Sequence, residues 1–113
     1  MQHSAAIGSM AEKAEKVAGF LKGLASPHRL LILCELSAGE RSVAALIEAT
    51  GLPPTSMSQH LAKLKEENIV SFRREHRTLY YFIADRAATK VMQVLFENFC
   101  AEIDSGAGDR AAQ

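Results

Sequence analysis

Apolar residues recur at steps of four and three from Met10 through Ala14, Val17, Leu21 and Leu24, which is one stripe of an amphipathic helix. Glu12, Lys13, Glu15, Lys16 and Lys22 fill the opposite face. Ser26-Pro27 supplies a cap followed by proline at the first helical position. Leu30 to Leu33, Cys34 and Leu36 then run apolar nearly all round, so the second helix is expected to be buried. Ser37-Ala38-Gly39-Glu40 ends it, and Ser42 can cap a short third helix whose inner face is Val43, Leu46 and Ile47. Gly51-Leu52-Pro53-Pro54 stops that helix. A fourth begins at Thr55-Ser56, with Met57, Leu61 and Leu64 inward and Gln59, His60, Lys63 and Lys65 outward, and ends near Asn68, which tolerates a left-handed cap.

The period then changes from 3.6 to 2. Segments 69–73 and 79–84 are rich in β-branched and aromatic residues, and Arg74-Glu75-His76-Arg77-Thr78 between them reads as a hairpin tip. From Arg86 a helical stripe returns through Ala88, Val91, Met92, Leu95, Phe99, Cys100 and Ile103. Segments 1–9 and 104–113 lack apolar periodicity and read as flexible tails. The expected architecture is one mainly α domain over 10–103, with four helices, a β-hairpin and a closing helix.

With 113 residues, of which 48% are hydrophobic and 23% charged, the chain matches an ordinary soluble domain long enough to bury a core. Thirteen basic and thirteen acidic residues cancel, which excludes an indiscriminately basic nucleic-acid coat. The balance is not uniform, since segment 53–83 carries an excess of two positive charges and segment 84–113 an excess of two negative ones. No apolar run has the length of a membrane span, and the N-terminus lacks a basic region followed by an apolar block, so a cytoplasmic protein with no membrane partner is expected.

The third and fourth helices with their glycine turn form a helix-turn-helix, whose second helix can enter the major groove of DNA. By itself this pairing is also ordinary helix packing. The hairpin that follows bears Arg73, Arg74 and Arg77, placed as a wing to grip phosphate, and the one positive segment coincides with this unit. Thr55, Ser56, Ser58, Gln59, His60 and Lys63 mix base-edge and phosphate donors, with Gln59 and His60 the foremost candidates to read bases. No nucleophile with a neighbouring base, carboxylate pair or phosphate-cradling loop stands at usable spacing, so the chain is not expected to be an enzyme.

Gly51-Leu52, Thr55-Ser56-Met57-Ser58-Gln59-His60-Leu61, Leu64, Ile69-Val70, the wing arginines and Tyr80-Tyr81 together resemble the winged helix-turn-helix repressors of the ArsR/SmtB family. Ala25-Ser26-Pro27-His28-Arg29-Leu30-Leu31-Ile32-Leu33 is similar to the signature that opens that family's second helix, so the resemblance covers about residues 15 to 100. It implies a dimeric, effector-controlled transcriptional repressor that binds double-stranded operator DNA and pairs through its first and last helices. Three features depart from the family pattern. Pro53-Pro54 stands where a serine cap is frequent, Asn68 replaces a common glycine, and His76 occupies a wing tip that is often glycine.

Metal sensing, widespread in the family, lacks its ligands here. There is no Cys-x-Cys or Cys-x-x-Cys, the third helix has no thiol, and His3, His28, His60 and His76 are dispersed, so no metal or cofactor is expected. Cys34 and Cys100, 66 positions apart, are on their own terms compatible with small core hydrophobes. The arrangement is similar to the sulfide- and persulfide-responsive branch of the family that includes BigR, SqrR and HlyU. That resemblance implies that Cys34 and Cys100 form a redox-sensing pair responding to reactive sulfur species. Two other readings stay open, a metal- or small-molecule-responsive repressor whose cysteines merely pack, and a winged-helix module that binds protein.

Overall fold

The computed structural model describes the backbone of residues 2–100 and the side chains of residues 9–99. The order is α1 (Gln2–Leu24), α2 (Pro27–Ser37), β1 (Arg41–Ser42), α3 (Val43–Thr50), α4 (Pro54–Glu66), β2 (Val70–Glu75), β3 (Thr78–Ile83), α5 (Arg86–Leu95) and a π-helical turn Phe96–Cys100. This is a winged helix fold, as the resemblance implies, with the hairpin where the period changes.

The core forms where the stripes meet. Ile32, Leu33 and Leu36 of α2, Leu46 of α3, Met57, Leu61 and Leu64 of α4, Ile69, Val70 and Tyr81 around the sheet, and Ala88 and Met92 of α5 are all buried in one cluster. From α1, Leu24 joins that cluster and Phe20 packs against it. The rest of the α1 stripe is bare, with Met10, Val17 and Leu21 half exposed or more. Leu31 corrects the expectation that α2 is buried all round, because it is 48% exposed while Ile32 and Leu33 are fully covered. α2 packs against α3, α4, α5 and β3, and the face that carries Leu31 is left uncovered.

Caps and turns fix the boundaries. The Ser26 side chain accepts from the Arg29 N–H and that of Ser42 from the Ala45 N–H, each satisfying an orphan amide of a helix start. Gly51 ends α3 at φ +76°, a left-handed conformation that a Cβ disfavours. The α4 start departs from this scheme, since Pro53 at the cap position offers no side-chain acceptor. Pro53 and Pro54 instead hold the backbone near helical φ before the first turn.

The hairpin is tighter than the sequence predicts. β2 and β3 pair antiparallel from Val70↔Ile83 to Glu75↔Thr78, leaving His76 and Arg77 as a two-residue loop. His76 has φ +59° and Arg77 does not share the positive sign, the φ pattern of a II′ turn, which normally takes glycine at that first position. Asn68 also lies at positive φ, +61°. Two of the three departures from the family pattern thus keep the backbone that glycine would adopt. β1 was not expected. Its two residues pair with β3 as Arg41↔Tyr81 and Ser42↔Tyr80, making a three-stranded sheet in the order β1-β3-β2.

Candidate nucleic-acid interface and cysteine region

Burial of Met57, Leu61 and Leu64 fixes the rotation of α4, and helical spacing then sends Thr55, Ser58, Gln59 and Lys63 to solvent, where all four are exposed. Ser56 and His60 lie at the margins, half covered. His60 is not fully outward as the periodicity suggests. Its ring meets His28 of α2 edge to face, with centroids 5.3 Å apart. Burial, then the charges of His28 and Arg29, hold the His60 imidazole below its ordinary pKa. Gln59 therefore stands as the more open of the two expected base readers.

Behind this contact, Arg29 Nη1 donates to the Gly23 carbonyl at 2.8 Å and lies 3.8 Å from Glu67 Oε1. A Cβ at Gly23 would come within 2.9 Å of Glu67 Oε2, so a larger residue there would make the Glu67 carboxylate shift. The ends of α1 and α4 and the start of α2 are locked together at this point.

The three wing arginines differ in their surroundings. Arg74 and Arg77 form no ion pair among the described residues and are exposed near the loop. Arg73, although its side chain is 47% exposed, has a carboxylate partner at each of its three nitrogens. Its Nε donates to both carboxylate oxygens of Glu40 at 3.0 and 3.1 Å, Nη2 donates to Glu40 as well, and Nη1 donates to Glu75 Oε2 at 2.8 Å. Its guanidinium carbon lies 4.6 Å from the centroid of the Tyr80 ring, a cation–π contact. The hydrogen bond from Arg73 holds the Glu40 carboxyl below its usual range, and the two carboxylates push the guanidinium pKa up. Sequence reasoning missed Glu40 and Glu75 as functional neighbours. Glu75 had a signal, since residues two apart in a strand share a face, whereas Glu40 lies 33 positions away with none.

Cys34 sits half covered on α2 and packs against the core. Cys100 falls on the last residue of the π-helical turn, and its side chain, like Ile103, lies outside the described residues. Within this turn Asn98 Nδ2 donates to the Val94 carbonyl at 2.7 Å. A cavity of about 470 Å³ opens between the ends of α2 and α5, lined by Ser37, Ala38, Thr89, Gln93, Phe96 and Glu97. Ser37 and Ala38 follow Cys34 by one turn, and Phe96 and Glu97 precede Cys100 by one turn. Among the described residues no three His, Cys, Asp or Glu side chains group as a metal site. No single helix among them is long and apolar enough to cross a membrane.

A helix-turn-helix with an exposed polar reading face, followed by a hairpin wing, defines a winged helix DNA-binding regulator. Residues 26–71 match the model of the arsR family of bacterial regulatory proteins. The nodulation protein NolR of Rhizobium meliloti is 42% identical over 94 residues, 83% of this chain and 77% of that protein. Reduced HlyU from Vibrio cholerae superposes with a TM-score of 0.79 at 32% identity, covering 81% of this chain and 97% of that one. The transcriptional repressor BigR from Xylella fastidiosa superposes with a TM-score of 0.77 at 35% identity, covering 84% and 94%. The chain belongs to the arsR family. Its relatives are transcriptional regulators and not enzymes.

Proposed function

We propose that the protein is a homodimeric transcriptional repressor that binds double-stranded operator DNA and releases it when Cys34 and Cys100 are oxidised or persulfidated by reactive sulfur species. The observation that carries DNA binding is the outward face of α4. Thr55, Ser58, Gln59 and Lys63 stand free of the core, beside a wing whose Arg74 and Arg77 are unpaired among the described residues. Gln59 would read a base edge, Thr55, Ser56, Ser58 and His60 would add polar contacts, and Lys63 with Arg74 and Arg77 would set register on phosphate. BigR, a structural relative, is described as a repressor.

Dimerisation through the first and last helices is supported by unpartnered apolar surface. Val17 and Leu21 of α1 and Val94 and Phe99 near the chain's end are 54%, 49%, 56% and 60% exposed. A groove of about 800 Å³ bounded by Val17, Phe20, Leu21, Ile69 and Val91 separates α1 from α5. Exposed apolar area of this kind is expected to be covered in solution, and a second copy presents the same surface by two-fold symmetry.

For the effector, the cavity between α2 and α5 supports reaction near Cys34 and Cys100, because it adjoins the turns that carry both. A thiolate of one cysteine attacks the sulfane sulfur of a persulfide and displaces a thiolate. The second cysteine then attacks the resulting protein persulfide, closing a disulfide and releasing hydrosulfide. A bridge between α2 and the π-helical turn would constrain helices at both the core and the dimer face.

The test is operator affinity and intact mass of the reduced protein before and after a low-mass persulfide. Expected are loss of two hydrogens, or a mass gain in sulfur steps, with weakened binding. Unmodified cysteines and unchanged affinity would refute the dithiol switch, and affinity insensitive to salt would refute DNA as the partner.

A further inference from the structure

Arg73 stands where the wing of a DNA-binding protein is expected to contact phosphate, yet its Nε, Nη1 and Nη2 are already committed to carboxylates and its face to Tyr80. Its position in the sheet explains why. Tyr80 pairs with Arg73 of β2 on one side and with Ser42 of β1 on the other. This rung is therefore the last with three strands. Beyond it the wing continues as a two-stranded ribbon, which has little stability of its own and twists freely. Glu40, the main partner of Arg73, belongs to the connection between α2 and β1, directly before the helix-turn-helix. The ion pair thus fastens the ribbon to the body at the rung where the third strand gives out.

We infer that Arg73 is a positioning residue, one that sets the angle of the wing relative to α4 through Glu40 and Glu75 and leaves phosphate contact to Arg74 and Arg77. This rests on the reading that α4 and the wing bind DNA. The alternative, Arg73 as a direct phosphate ligand, predicts the opposite sign for its partner. If DNA must draw Arg73 away from Glu40, neutralising Glu40 frees the guanidinium and removes a negative charge from the interface, so affinity rises. If Arg73 acts through Glu40, neutralising Glu40 loosens the wing and affinity falls.

The experiment is operator binding by the intact protein across a salt series for wild type, Glu40→Gln, Arg73→Gln, the double variant and Arg77→Ala. The expected result is that Glu40→Gln and Arg73→Gln each weaken binding by about fivefold, as for loss of one modest interaction. The double variant should be no weaker than Arg73→Gln, and all three should keep the wild-type slope of log affinity against log salt. Arg77→Ala should lower that slope by about one. Tighter binding by Glu40→Gln, or a slope lowered by about one in Arg73→Gln, overturns the inference. Because an exposed pair contributes little to folding, thermal unfolding of Glu40→Gln should match wild type, and a large drop would assign the pair to the fold instead. Salt-insensitive binding by wild type would instead overturn the DNA reading, and the inference with it.

Discussion

Gln59 and Arg77 illustrate how side chains on one surface can serve separate purposes. A glutamine exposed on the reading helix can make paired contacts to a base edge, and these distinguish sequences. An arginine at a hairpin tip contacts phosphate, which every sequence presents equally. Gln59→Ala should therefore reduce the ratio of operator to random-sequence affinity, at a cost of about 1–3 kcal/mol on the operator. Arg77→Ala should weaken both DNAs alike. Competition titrations with the two DNAs measure the ratio, and an unchanged ratio in Gln59→Ala would remove its reading role. His60 adds a titration to the same helix. Burial comes first, and the charges of His28 and Arg29, both from α2, add to it, so the folded imidazole takes a proton less readily than the unfolded one. The unfolded chain then binds more protons near the ordinary pKa of 6.5, and stability must rise with pH through that region. His60 contributes fully above the unfolded pKa and loses its contribution as pH falls through the lower folded value. Denaturant midpoints from about pH 7 to 5 should fall more steeply for wild type than for His60→Gln. Parallel curves would show that the contact with His28 does not discriminate protonation states.

At the scale of elements, local chemistry decides where each helix starts, and the cap of α3 is the sharpest case. The Ser42 hydroxyl accepts from the Ala45 N–H at 3.1 Å, and no other side chain among the described residues accepts from that amide. Ser42→Ala should cost about 1 kcal/mol of unfolding free energy, read from urea denaturation, while leaving the β1 pairing intact because that uses backbone groups alone. Such caps, the apolar stripes and the switch from period 3.6 to period 2 were legible because each lies within a few residues of chain. α1 was legible only in part. Its backbone is helical from Gln2, eight residues before the Met10 where the stripe begins, because Ala5 and Ala6 favour helix without contributing to a stripe. β1 was illegible for a different reason. Two residues have no period, and Arg41-Ser42 becomes a strand only because β3 offers a free edge. The role of Arg73 was likewise hidden, since charge and position alone gave it the same part as Arg74 and Arg77, and the carboxylate that separates them comes from 33 positions away.

For the whole molecule, the long α1 creates a problem that the single chain does not solve. Twenty-three residues span roughly 35 Å of helix, and the described core takes only Phe20 and Leu24 from it. Val17 and Leu21 sit on the same stripe and would expose apolar surface throughout the life of a monomer. A second copy could cover this stripe together with the exposed Val94 and Phe99, and a two-fold arrangement would also set the separation of the two α4 helices, so that each enters a major groove one helical turn from the other. Assembly and operator binding should therefore fail together. Val17→Glu or Leu21→Glu places a charge where a dry contact is proposed, at no cost to the core of the single chain, because both side chains are already half exposed. Sedimentation should show a shift toward monomer at micromolar concentration, with circular dichroism unchanged. Operator affinity should fall by at least tenfold, because each half-site would then be bound alone, while affinity for a single half-site should stay near that of wild type. A variant that remains dimeric and keeps its operator affinity would move the interface away from α1.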